Sequence, residues 1–277
     1  DGALNLIAFE ALVDENNNYL VERYQFRYLT SGRDLMRIAN ATASDNPVVL
    51  MGDPTFGRTA QNSVSQAKGS TRRAINLEEN VFPPLAGTRL EVEGIAQKFP
   101  EAQVYLTTTA TEAQLKTAEQ PSILHLATHG FFRTTEETLN PLLQSGLVLA
   151  GVAERQSGPD ENGVLTALEV TSLDLRGTQL VVLSACETGL GELSVSEGLY
   201  GLRRALVLAG SQSQVMSLWK VDDTATQELM LAYYKKLRAG ASRDQALTET
   251  QREFLQDPEY NHPYYWAAFI GSGDWRP

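Results

Sequence analysis

Two stretches of this sequence run from an apolar strand pattern straight into a reactive side chain. One is Ile123-Leu124-His125-Leu126-Ala127-Thr128-His129-Gly130. The other is Val181-Val182-Leu183-Ser184-Ala185-Cys186-Glu187-Thr188-Gly189, which holds the one cysteine of the chain. A thiol beside an imidazole is the pair needed for nucleophilic attack on a carbonyl. A free thiol titrates near ~8.5, so an adjacent imidazole must lower that value or take the proton during attack. The glycine after His129 lets a carbonyl approach the backbone, and the amides of Gly130 and Cys186 are candidates for a two-donor oxyanion hole. Gly189-Leu190-Gly191 then gives the chain room to turn away. The plainer role of a lone cysteine is a small buried apolar side chain. A single cysteine accompanied by suitable histidines points to the nucleophile instead.

Such a pair needs two neighbouring strands, because ligands of parallel α/β sheets bind beyond the carboxyl ends of the strands. Strand-like runs occur at Val48–Met51, Gln103–Leu106, Ile123–Thr128, Gly146–Ala150, Gln179–Ala185, Gln212–Trp219 and Trp266–Ile270. Near-continuous apolar runs such as Leu180-Val181-Val182-Leu183 suit strands covered on both faces. Helix starts are marked by Ser or Thr followed three residues later by Glu or Gln, the capping-box pattern. The pairs are Thr88/Glu91, Thr111/Gln114, Thr166/Glu169, Ser194/Glu197, Thr224/Gln227 and Ser242/Gln245. Alternation of these elements predicts an α/β fold, a mostly parallel central sheet with helices on both faces. Residues 1–30 predict an N-terminal β-hairpin, with Leu4–Leu12 and Tyr19–Tyr28 flanking a polar turn at residues 14–18. Residues 55–84 form a long polar loop carrying Lys68, Arg72 and Arg73, and 151–163 a shorter polar insertion.

Other chemistries fit less well. His125 and His129 are four apart, as helical metal ligands can be. On a strand, four residues span about 13 Å, too far for one ion, so no metal site is expected. His125 is expected to be a hydrogen-bonded core histidine, and His262 a structural residue near the last strand. Gly52-Asp53-Pro54-Thr55-Phe56-Gly57 lacks the Gly-Lys-Ser/Thr ending of a phosphate loop and predicts a turn after a strand.

Composition narrows the partners. The 277 residues include 23 basic and 34 acidic side chains, a net charge of -11. That balance disfavours nucleic acid and anionic membranes, both of which need a basic surface, and favours a cationic substrate. No apolar run approaches the ~20 residues of a membrane span, and a lone cysteine forms no intrachain disulfide. The chain opens on Asp1-Gly2 without an initiator Met, as a fragment or processed product would.

The His129 and Cys186 segments resemble the motifs of the CHAT domain, a family of peptidase domains related to caspases and separases. The resemblance extends to Leu6-Ile7-Ala8-Phe9-Glu10-Ala11-Leu12, to Ser217-Leu218-Trp219-Lys220-Val221-Asp222-Asp223 and to His262-Pro263-Tyr264-Tyr265-Trp266-Ala267-Ala268-Phe269. It therefore covers nearly the whole chain and implies one caspase-like domain over residues 1–277. By the resemblance, His129 and Cys186 are catalytic, a peptide or protein is the substrate, and no cofactor is required. It also implies a tetratricopeptide-repeat region in the same parent chain and a cytoplasmic setting. Arginine-cleaving relatives place an acid in the specificity pocket. Asp222 and Asp223, with Trp219 beside them, are the candidates here, through charge pairing and stacking with a Lys or Arg side chain. Helix capping is the competing role of these acids. Thr224/Gln227 would relieve at least one of them of that duty. A binding or scaffold module of the same fold, silent until a partner binds, is the alternative to an endopeptidase; acyl transfer to an amine is another.

Overall fold

The computed structural model describes residues 4, 7–57, 82–132, 140–184, 186–187 and 195–277. Its elements in chain order are α1 (Arg33–Ala39), β1 (Val49–Pro54), α2 (Ala86–Ala96), β2 (Gln103–Thr107), α3 (Glu112–Lys116), β3 (Ile123–Ala127) and β4 (His129–Phe132). There follow β5 (Ser145–Val148), β6 (Val164–Thr166), α4 (Ala167–Val170), β7 (Leu180–Leu183), β8 (Cys186–Glu187), α5 (Val195–Ala209) and β9 (Ser213–Ser217). The chain closes with α6 (Asp223–Arg238), α7 (Arg243–Gln256), α8 (Pro263–Trp266) and β10 (Phe269–Gly273).

Six strands form the central sheet in the order β10-β9-β7-β3-β1-β2, all parallel except β10, which runs antiparallel to β9. The chain moves outward from β1 to β2, returns to β3, and then steps the other way through β7 and β9. Right-handed crossovers in opposite directions put their helices on opposite faces. Accordingly α2 packs with α6 on one side and α4 with α5 on the other. The strand order reverses between β1 and β3, so a crevice is expected at the carboxyl ends of those strands. Leu180 to Leu183 are buried on both faces, as their unbroken apolar run requires. On α5, Leu202 and Leu206 are buried while Leu208 turns to solvent.

Local signals held unevenly. Thr111 and Thr166 cap their helices, Thr166 in a reciprocal box with Glu169. Ser242 is an N-cap whose hydroxyl bonds Asp244 instead of a helix amide. Thr88 lies inside α2, its hydroxyl donating to the Leu85 carbonyl and accepting from Asp53 N–H. Thr224 lies inside α6, whose cap is Asp222. Ser194 falls outside the described residues.

The N-terminal hairpin expected from the sequence is not formed. Its arms wind into 3-10 turns at Phe9–Ala11 and Leu20–Glu22, and among their described residues only Val13 and Tyr19 pair as an antiparallel bridge. The Asp14 carboxylate accepts from the amides of Asn16 and Asn18 at 2.9 and 3.0 Å and closes the turn, but the arms spend their amides locally, Ala11 and Leu12 on the Ala8 and Phe9 carbonyls and Glu22 and Arg23 on those of Tyr19 and Leu20. Near the other end, Trp266 closes α8 and does not open the last strand, which begins at Phe269. Among the described residues no helix is long and apolar enough to cross a membrane.

Candidate active site

At the carboxyl edge of the central sheet the chain leaves β3 at Thr128, whose hydroxyl bonds the Val148 carbonyl of β5. It re-enters as β4 in a second sheet of order β6-β5-β4-β8. The sequence predicts His125 and His129 on one strand, but the break at Thr128 separates them. The run predicted over Gln179–Ala185 likewise stops at Leu183, and Cys186 begins β8. β4 and β8 pair in parallel with His129 opposite Cys186 and Gly130 opposite Glu187. Paired strands lie about 4.8 Å apart, so the backbones of the two candidate residues are direct neighbours. On its other side Gly130 stands opposite Leu147 of β5.

His129 is 3% exposed, its ring clustered with those of Phe56 and Phe82 at centroid distances of 5.0 and 5.7 Å, the two phenylalanines themselves 5.9 Å apart. Those two rings come from the two described ends of the 55–84 stretch, one just after β1 and one just before α2. The loop's basic residues Lys68, Arg72 and Arg73 lie outside the described residues. His129 Nε2 lies 2.8 Å from the Pro83 carbonyl oxygen. A carbonyl only accepts, so this bond assigns the proton to Nε2 and leaves the lone pair on Nδ1. Nδ1 is buried and has no hydrogen-bond partner among the described residues. Burial lowers the pKa of His129 below its ordinary 6.5, opposed by the Pro83 carbonyl and the charge of Asp223, while Lys220 adds to the lowering. The ring is therefore neutral near pH 7, as a base must be.

The contribution of His129 to stability follows from the same shift. Folding disfavours its charged form, so the contribution is complete above 6.5 and is lost as pH falls through the lower folded value. Phe82→Ala should rehydrate the ring and move its midpoint up toward 6.5, read from the His129 ring resonances in an NMR pH titration. An unchanged midpoint would mean that the Phe82 ring does not provide the burial.

The two acids divide their work. Asp222 is the N-cap of α6, accepting from the amides of Thr224 and Ala225 at 3.0 and 3.1 Å. Asp223 is half-buried, its pKa raised by desolvation and by the charge of Asp222 and drawn down by His129 and Lys220. The helix start of α2 abuts it: a Cβ added to Gly87 would lie 2.9 Å from Asp223 Cβ, so glycine permits this approach. Trp219 is tied toward α8, its indole N–H donating to the Tyr264 carbonyl at 3.0 Å. His125 is completely buried, within 3.1 Å of the Tyr234 hydroxyl. His262 caps α8, its Nδ1 accepting from Tyr264 N–H.

Sequence inspection missed Phe56, Phe82 and Pro83. The available signal was that the two phenylalanines are the only aromatics in the otherwise polar 55–84 stretch. Among the described residues one cluster, Glu112, Glu161 and Glu169, brings three carboxylates together. Lys116 Nζ already sits among them at 2.8, 2.6 and 3.2 Å, supplying the positive charge itself.

Residues 1–274 match the family model described as CHAT domain. Tetratricopeptide repeat protein 28 of Homo sapiens is 23% identical over 294 aligned positions, covering 98% of this chain and 11% of that protein. The Mus musculus protein of the same name is 35% identical over 112 positions, 39% of this chain and 4% of that protein. The chain thus spans about a tenth, or less, of these relatives. Among solved structures, the Saccharomyces cerevisiae separase–securin complex aligns over 98% of this chain and 14% of that one, with TM-score 0.53 and 13% identity. The complex of Porphyromonas gingivalis RgpB pro- and mature domains aligns over 87% of this chain and 52% of that one, with TM-score 0.50 and 10% identity. At such identities the likeness concerns the fold, which is caspase-like.

Proposed function

The chain belongs to the CHAT domain family, and from that premise we propose that it is a cysteine endopeptidase using a Cys186–His129 dyad. The observation that supports this most directly is the pairing of His129 with Cys186, together with a buried imidazole whose Nε2 is held by Pro83. Nδ1 then takes the thiol proton as the Cys186 sulfur adds to the scissile carbonyl. The amides of Gly130 and Cys186 stabilise the oxyanion. Collapse of the adduct forms a thioester and expels the amine, which receives the proton from His129. Water, deprotonated by the same nitrogen, hydrolyses the thioester and restores the thiol.

Asp223 is the acid we assign to the specificity pocket, selecting a basic side chain before the scissile bond. Asp222 is committed to the helix cap, and Trp219 flanks the pocket as a stacking surface. The domain acts in the cytoplasm, where its lone thiol stays reduced, within a parent chain carrying tetratricopeptide repeats, as the relatives' name suggests.

One observation favours a second reading, a module that turns over only after a partner binds. The base is 3% exposed and packed against Phe56 and Phe82, so at least one of those rings must move for substrate to reach it.

Because the chain has one cysteine, alkylation reports on Cys186 alone. Iodoacetamide should modify the wild type near neutral pH at least ~10-fold faster than His129→Ala, followed by intact mass. Equal rates in the two proteins would remove the dyad. Fast alkylation without cleavage of any member of a diverse peptide library would favour the partner-dependent module.

A further inference from the structure

Behind the candidate dyad lies a buried polar group that helix, strand and sheet packing do not require. Glu91 of α2 is 1% exposed. Its Oε2 accepts from the Ser184 hydroxyl at 3.1 Å, and its Oε1 lies 3.0 Å from His125 Nε2. The latter contact has ion-pair distance without hydrogen-bond alignment. On the far side of its ring, His125 Nδ1 meets the Tyr234 hydroxyl of α6 at 3.1 Å. Burying a carboxylate is costly, and an apolar side chain of similar volume often serves stability as well or better. The group's position suggests what it specifies.

Ser184 stands two residues before Cys186, and His125 four residues before His129. Ser184 sits where the β3–β7 ladder ends and His125 lies one pair inside it, opposite Val182: Leu126 pairs with Leu183, and Ser184 N–H donates to the Leu126 carbonyl. Beyond it the two chains depart for β4 and β8. A slip of β7 against β3 would move Cys186 past His129 by about 3.3 Å per residue. One carboxylate touching both strands opposes that slip. The same helix begins two residues after Pro83–Pro84 and so also carries the carbonyl that orients His129.

We infer that Glu91 is a positioning residue, which through Ser184 and His125 sets the height of Cys186 relative to His129. This rests on the dyad proposed above. The test measures the pH dependence of Cys186 alkylation by iodoacetamide in wild type, Glu91→Gln, Ser184→Ala and His129→Ala, and in each of the first two variants combined with His129→Ala. Thermal unfolding checks the fold. Glu91→Gln and Ser184→Ala should raise the midpoint toward the ordinary thiol value and slow neutral-pH alkylation about tenfold. On the His129→Ala background neither should slow it further, because they act through the imidazole. Ser184→Ala removes a single hydroxyl and decides the matter if Glu91→Gln does not fold. A wild-type profile in folded Ser184→Ala, with His129→Ala clearly slowed, overturns this inference and leaves the dyad standing. Equal profiles in wild type and His129→Ala overturn both.

Discussion

Cys186→Ala and His129→Ala should each lower peptide hydrolysis about 10⁴–10⁶-fold while leaving the fold intact. The expectation follows from the roles assigned to the two side chains. Without the sulfur there is no atom to form the thioester. Without the imidazole the thiol must ionise unaided, and the amine leaves without a proton. The two act as one unit, so the double variant should be no slower than the worse single variant. Circular dichroism and thermal unfolding should stay close to wild type for Cys186→Ala. His129→Ala should lose modest stability, since removing the ring from its cluster with Phe56 and Phe82 leaves a void. Turnover of any peptide by Cys186→Ala at a rate near wild type would sink the mechanism.

Asp223→Asn should lower kcat/KM for peptides with arginine before the scissile bond by at least tenfold, and the loss should be smaller for methionine peptides. A half-buried carboxylate matches a guanidinium best, because the planar fork engages both oxygens, and lysine should rank second. Peptides with aspartate at that position should be poor for wild type through like-charge repulsion. Losing one member of a desolvated charge pair costs about 2–5 kcal/mol, which sets the tenfold floor. Asp222 supplies the control. Its carboxylate holds two helix amides, so Asp222→Ala should cost about 1 kcal/mol of stability and leave the substrate ranking unchanged. Asparagine caps as well as aspartate, so Asp222→Asn should be nearly silent in both assays. The assignment fails if methionine or aspartate peptides match arginine, or if Asp223→Asn keeps the wild-type ranking.

These expectations separate what one dimension of the molecule specifies from what three specify. The sequence by itself determined the fold class, the strands of the central sheet to within a few residues, and that the His129 and Cys186 segments follow two of those strands. It could do so because apolar periodicity and the capping at Thr111 and Thr166 are local properties, set within a few residues of each position. The N-terminal arms misled for the opposite reason: alternating apolar residues suit a strand, but the amides of both arms bond carbonyls within their own 3-10 turns. Only the tertiary structure decided that Thr128 breaks the histidine strand and that Pro83, 46 residues earlier, orients the imidazole. It also separated Asp222 from Asp223 by turning one into a cap and bringing the other within electrostatic reach of His129. The contact of Glu91 with Ser184 joins residues 93 positions apart. Nothing in the local sequence marks such contacts, because they exist only where parallel packing brings a helix and two strand ends to the same edge of one sheet.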